Sequence, residues 1–259
     1  MARIKIYPTA HSLARAAADR FTSLAREAIA SRGQFTVALG GGSTPRRLHQ
    51  LLTRDEFASN LDWTCIHIFF GDERHVPPDH PESNYRMVQE TLLDHISIPG
   101  ENVHRIQGEI KPEQAAIEYE QTLVSFFASN QGSEISSVTL DLILLGMGTD
   151  GHTASLFAGR STTQERSCFV ISHFVDKLQS WRVTLTPFTI NGASHVIFIV
   201  SGKEKAQKLK QVLEGPYNPD ALPSQSIKPN RGSLMWLLDA EAASRLSVKK
   251  NNLQHHNNG

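Results

Sequence analysis

The stretch LDLILLGMGTDGHTASLF, Leu140 to Phe157, decides how this chain is read. Its first six residues, Leu140 to Leu145, are the most hydrophobic run present, and a short run apolar on both faces reads as a strand buried inside a parallel sheet. Gly146-Met147-Gly148-Thr149-Asp150-Gly151 then matches the G-x-G-x-x-G of a dinucleotide-binding turn, and Glu165 stands near where a ribose-binding acid is sought. The context refuses that reading. His152 to Phe157 reaches Gly159 too soon for a crossover helix, and Glu165 precedes the next apolar run, CFVI (168–171), instead of ending it.

Working outward, other apolar runs repeat the pattern. Phe35–Leu39, Cys65–Phe70, Trp181–Leu185 and Val196–Val200 read as strands, with a strand-like piece near Gln225–Ile227. Amphipathic segments lie between them. One is opened by Ser12 as N-cap and closed by Gly33, and another follows Thr44 as N-cap with Pro45 at the first helical position. Ser83–Ile96, Pro112–Ser129, Lys203–Leu213 and a short piece at Asp239–Leu246 also read as helices. Strands alternating with helices predict α/β architecture around a largely parallel sheet. One domain is expected over residues 1–248, with a polar, disordered tail over 249–259.

Composition narrows the function. The chain has 259 residues, 39% of them hydrophobic, and 26 Lys and Arg balance 26 Asp and Glu. A neutral chain disfavours nucleic acid and anionic membranes as partners, so an anion must be met by a local site. Cys65 and Cys168 are too few and too far apart for a disulfide framework or a zinc site, and read as buried reduced thiols of a cytoplasmic protein. No H-E-x-x-H or Cys/His cluster suggests a metal. MARIKIYPTA lacks the apolar core of a signal peptide, and no window nears the roughly 18 apolar residues of a membrane helix.

Ligands of open α/β sheets bind beyond the carboxyl ends of the strands, so the polar residues after each run are the candidates. After Leu39, the glycines Gly40, Gly41 and Gly42 with Ser43 and Thr44 offer either a tight turn or a phosphate-binding helix terminus. After Phe70, Asp72, Glu73 and Arg74 offer either an internal salt bridge or an arginine clamp oriented by a carboxylate. After Leu145, Asp150 stands two residues before His152. A carboxylate there can fix the tautomer of an imidazole poised for proton transfer. Arg182 and Lys205 place cations at two further strand ends, and for Lys205 a solvated surface role competes with anion binding.

These residues fall in segments that resemble the 6-phosphogluconolactonases. LGGGSTP (39–45), GDERHVPPDHPESNYR (71–86), LLGMGTDGHTASLF (144–157), RVTLTPFTINGASHVIFIVSGKEKA (182–206) and LPSQSIKPNRGSLMWLLDAEAA (222–243) occur in family order over nearly the whole chain. The resemblance implies a doubly wound, mostly parallel Rossmann-like sheet with helices on both faces, which binds sugar phosphate and not NAD. It implies hydrolysis of 6-phospho-D-glucono-1,5-lactone to 6-phosphogluconate by a cytoplasmic monomer, without cofactor or metal. His152 would activate water and Asp150 would orient it. Gly41, Gly42, Ser43, Thr44, Asp72, Arg74, Arg182 and Lys205 would hold the phosphate and the sugar. The chain departs from the family pattern at Ala158-Gly159, where Pro-Gly is usual, and at Val175–Trp181, where a Pro-rich stretch is usual. The alternatives are an isomerase or deaminase of a hexosamine phosphate, with Asp72 as carbon base, or a non-catalytic sugar-phosphate sensor.

Overall fold

The computed structural model describes residues 2–131, 138–159 and 168–247, so the expected tail lies outside the described residues. Ten strands are described: β1 (Arg3–Tyr7), β2 (Phe35–Leu39), β3 (Ile66–Phe70), β4 (Asp72–Arg74), β5 (Val103–His104), β6 (Leu142–Leu145), β7 (Val170–Val175), β8 (Ser180–Leu185), β9 (His195–Val200) and β10 (Ser233–Asp239). Seven of them form one sheet in the order β1-β10-β9-β6-β2-β3-β5, and every neighbouring pair is parallel. After β2 the chain winds outward through β3 to β5, then returns to the other side of β2 with β6. That reversal is the topological switch point of a doubly wound sheet, where a crevice opens between the carboxyl ends of two adjacent strands.

β2 and β6 are buried along their whole length, which explains why their sequences are continuously apolar. Phe35, Phe69, Phe70 and Phe198 fill the sheet's core with no exposed surface. Helix α1 (Ala10–Arg32) lays Leu13, Ala17, Phe21, Leu24 and Ala28 against it at i, i+4 and i, i+3 spacing. Several boundaries differ from the sequence reading; the expected helix Lys203–Leu213, for instance, begins as a 3-10 turn at Lys203–Lys205 and is α-helical only from Ala206. Thr9, not Ser12, caps α1. Ser12 sits three residues into the helix, and its hydroxyl returns the hydrogen bond in a capping box. Helix α2 (Ser43–Leu52) starts one residue before Thr44, because Gly42 at φ +112° turns the chain into the helix earlier. Ser83–Ile96 divides into α4 (Asn84–Thr91), capped by Ser83, and a 3-10 turn at Leu93–His95. The chain also forms α3 (Asp55–Ala58), α5 (Pro112–Gln131), α6 (Pro187–Gly192) and α7 (Ala206–Glu214).

A second sheet was not foreseen. β4, β8 and β7 pair antiparallel, so Trp181–Leu185 belongs to this small sheet and not to the large one. Gln225–Ile227 is no strand; Pro223–Ser226 is a 3-10 turn, and the last strand is Ser233–Asp239. The piece at Asp239–Leu246 is only a 3-10 turn over Ala242–Arg245. Cys65 and Cys168, expected to be buried, are only partly buried. No helix among the described residues is long and apolar enough to cross a membrane.

His49, on the inner face of α2, has no exposed surface. Burial, with Arg46 nearby, pushes its imidazole down to about 3 from an ordinary 6.5. Between those values the unfolded chain binds a proton that the folded chain refuses. Stability therefore falls as pH drops through that window, by up to about 1.4 kcal/mol per pH unit. Urea unfolding at a series of pH values is expected to show a flatter slope for His49→Gln than for the parent. Parallel slopes would mean that His49 is protonated in the fold.

Candidate functional site

At the switch point the chain leaves β2 through Gly40-Gly41-Gly42 and enters α2. A Cβ at Gly41 would stand 1.9 Å from Oδ1 of Asn84, so any larger residue there would have to displace that buried side chain. No side chain caps α2. Pro45 has no N–H, and the first intrahelical bond of the turn is Arg46 N–H to Gly42 O at 3.1 Å. The amides of Gly42, Ser43 and Thr44 thus remain as open donors at the positive end of a helix, an arrangement that suits an anion.

β6 delivers the turn Gly146–Phe157 beside it. No helix follows Gly151 in the described residues up to Gly159, and Thr153 and Leu156 instead form an isolated antiparallel bridge, so the dinucleotide motif lacks its helix there. Nδ1 of His152 lies 2.5 Å from Oδ1 of Asp150, and the same oxygen accepts the His152 N–H at 3.2 Å. Oδ2 of Asp150 accepts from Nζ of Lys177 at 3.0 Å. The His152 bond, chiefly, holds the Asp150 carboxyl far below the usual carboxylate range, and Lys177 adds to it. A carbon-13 titration of that carboxyl is expected to show no inflection between about pH 3 and about pH 7. An inflection near an ordinary carboxylate value would mean that the pair does not hold in solution. The imidazole stacks on Phe157, with 4.3 Å between ring centres. With Nδ1 engaged, Nε2 is the nitrogen left for chemistry.

The small sheet supplies the opposite wall. Successive residues of β4 point to opposite sides, so Asp72 and Arg74 share one face and Glu73 takes the other. Glu73 is turned away, accepting the amides of Asn84 and Tyr85 at 2.8 Å each and the hydroxyl of Ser83 at 3.0 Å, at the start of α4. Burial pushes its carboxyl up while these amides oppose the shift. Asp72 faces the cleft, its Oδ2 accepting from the Ser155 hydroxyl at 2.6 Å. Neither acid pairs with the Arg74 guanidinium among the described residues. Arg74 instead donates to Glu82 O at 2.6 Å, and its buried Nε finds no partner.

Eight of the ten expected residues meet here. Gly41, Gly42, Ser43, Thr44, Asp72, Arg74, His152 and Lys205 line one cleft of about 210 Å³. Asp150 stands behind His152. Arg182 pairs across the strands with Arg74 but lies outside the cleft lining, its guanidinium held by Ser180 Oγ at 2.6 Å and Trp181 O at 3.0 Å. Burial and then the like charge of Arg74 push Arg182 down. Lys205 donates to Met147 O at 2.5 Å, and burial lowers its ammonium too. Partly desolvated cations in one region create a field that an anion would relieve. Among the described residues no group of three His, Cys, Asp or Glu could hold a metal. Residues that sequence reasoning missed are Lys177, Ser155, Asn84 and Phe157, each a direct support of an expected one.

The family model of glucosamine-6-phosphate isomerases/6-phosphogluconolactonase matches residues 8–236. A 6-phosphogluconolactonase of Nostoc sp. is 41% identical over 95% of this chain and 98% of its own length. One from Haemophilus influenzae is 38% identical over 81% of this chain and 86% of its own. Among solved structures, the 6-phosphogluconolactonase from Trypanosoma cruzi superposes with TM-score 0.81 at 29% identity, covering 95% of this chain and 97% of that one. On these grounds, and on the fold and cleft just described, the chain belongs to the glucosamine-6-phosphate isomerase/6-phosphogluconolactonase family and, within it, to the 6-phosphogluconolactonases.

Proposed function

We propose that this protein hydrolyses 6-phospho-D-glucono-1,5-lactone to 6-phospho-D-gluconate, the second step of the oxidative pentose phosphate pathway, as a cytoplasmic monomer. The observation that carries the reading is one cleft holding both the open amides of α2 and the Asp150–His152 pair at 2.5 Å. The substrate's phosphate sits on the amides and hydroxyls of Gly42, Ser43 and Thr44, with Arg74 and Lys205 supplying charge and Arg182 reinforcing it from behind. Asp72 takes hydroxyl hydrogens of the sugar.

The chemistry is ester hydrolysis. Nε2 of His152 accepts a proton from water as its oxygen bonds to C1. The tetrahedral intermediate collapses, the bond from C1 to the ring oxygen breaks, and His152 returns the proton to that oxygen. The new carboxylic acid then ionises and releases a proton to solvent. A lactone is an activated ester, so no metal, nucleotide or covalent intermediate is required. A positioned base supplies about 10²–10⁴-fold acceleration.

The test follows acid release from freshly generated lactone against its spontaneous loss. Acceleration is expected, and Arg74→Met should raise KM by about 10–100-fold with a smaller change in kcat, as for loss of a charge-assisted hydrogen bond. Tight binding of 6-phosphogluconate with no acceleration would instead make the protein a sensor. A second reading rests on Asp72, whose buried carboxylate lines the cleft and could take a proton from carbon. Ammonia released from glucosamine 6-phosphate would favour that reading.

A further inference from the structure

At the opposite end of the large sheet, where β1, β9 and β10 begin, lies a second cavity of about 760 Å³, larger than the catalytic cleft. Its lining contains Arg3, Arg20, His195 and Lys228 and not one acidic residue. Among the described residues no salt bridge engages Arg3, Arg20 or Lys228. Glu27 and Asp141 lie near enough to act on His195, but neither is in the wall. Both are otherwise occupied, Glu27 by the hydroxyl of Ser23 at 2.7 Å and Asp141 by Arg32.

Arg20 projects from α1 with its Nε shielded from water and without a hydrogen-bond partner. An unpaired buried donor on a charged group is costly, and an anionic acceptor would remove that cost. Lys228 is anchored by its amide to Asn191 Oδ1 at 2.6 Å, and its Nζ stands 3.5 Å from the centre of the exposed Tyr217 ring. The remaining wall is largely apolar, formed by side chains such as Val212, Leu213, Ile227 and Leu234. Cations at the rim, a shielded and unpartnered guanidinium Nε and a largely apolar wall describe a receptor for an amphipathic molecule of opposite charge.

We propose that this cavity binds a small organic anion, a carboxylate, sulfonate or phosphate carried on an apolar body, with Arg20 and Lys228 as its charge partners. The site is separate from catalysis and independent of which sugar phosphate the cleft accepts. It nevertheless touches the catalytic turn. Ser224 lines the cavity, and its amide and hydroxyl donate to Gly151 O at 3.1 and 2.8 Å, between Asp150 and His152.

The test titrates the folded protein with 8-anilinonaphthalene-1-sulfonate, an apolar sulfonate whose fluorescence reports burial. Saturable binding is expected. Arg20→Met should weaken it about tenfold or more and Lys228→Met about threefold or more, the difference reflecting half-buried against exposed charge. Lys228 is exposed, so its variant tests the idea even if Arg20→Met fails to fold. Absence of saturable binding, or affinity unchanged in both variants, overturns the proposal. So does loss of dye binding in Arg74→Met, which would place the dye in the catalytic cleft.

Discussion

Replacing His152 with asparagine is expected to lower kcat by about 10²–10⁴-fold and to leave KM nearly unchanged. The substitution is chosen to isolate proton transfer. An asparagine amide can still donate toward Asp150, which now takes the imidazole Nδ1 at 2.5 Å, so the turn keeps its internal tie. The amide has no basic nitrogen, so it can neither deprotonate water nor hand the proton to the ring oxygen. The amides of α2 proposed to hold the phosphate lie on another element and are untouched, which is why KM is expected to hold. Steady-state rates over a range of lactone concentrations, corrected for spontaneous hydrolysis, decide the matter. Parent-like kcat in His152→Asn would exclude His152 as the base.

The second large effect comes from one methyl group. A Cβ at Gly148 would stand 2.1 Å from Nδ1 of His152 and 2.7 Å from Oδ1 of Asp150, so it would occupy the space where the pair meets. Gly148 has no positive φ that would penalise alanine, so the strain falls on the two side chains and not on the backbone. Gly148→Ala is therefore expected to fold with a melting temperature close to the parent's and to lose about 10²-fold in kcat, as a base displaced by about an ångström should. Unaltered kcat with an intact fold would show that the Asp150–His152 contact is not what positions the base. A collapse of the melting temperature would show that the pair yields less readily than the backbone.

The site was legible in the sequence wherever a buried strand hands over to polar residues at once. β2, β3, β6 and β9 are almost continuously apolar, so the residues just beyond them stood out, and eight of the ten chosen residues meet in one cleft. What could not be read depends on partners distant in the chain. Lys177 reaches Asp150, and Ser155 reaches Asp72, only because β7, β8 and the turn after β6 converge. Which of Asp72 and Glu73 faces the cleft follows from the pleat of a three-residue strand that no apolar run announces. β1 was missed because RIKIY lies at the sheet's edge and is nowhere fully buried. The shifted starts of α1 and α2 have local causes: a serine three residues into a helix can imitate its cap, and a glycine at positive φ can begin a helix early.

The pairing of β1 with β10 also governs how the protein comes into being. Arg3 lies opposite Met235, so β1 waits for more than two hundred further residues to be made before its neighbour exists. Until Ser233–Asp239 is synthesised, the outer edge of β9, HVIFIV, has no partner on that side. Such an edge is a template for association with another chain. Pairings this distant also make folding slow, because the loop must close before its contacts repay the entropy. Nascent chains stalled before Ser233 are accordingly expected to be the aggregation-prone species, because β10 is what covers that edge of β9.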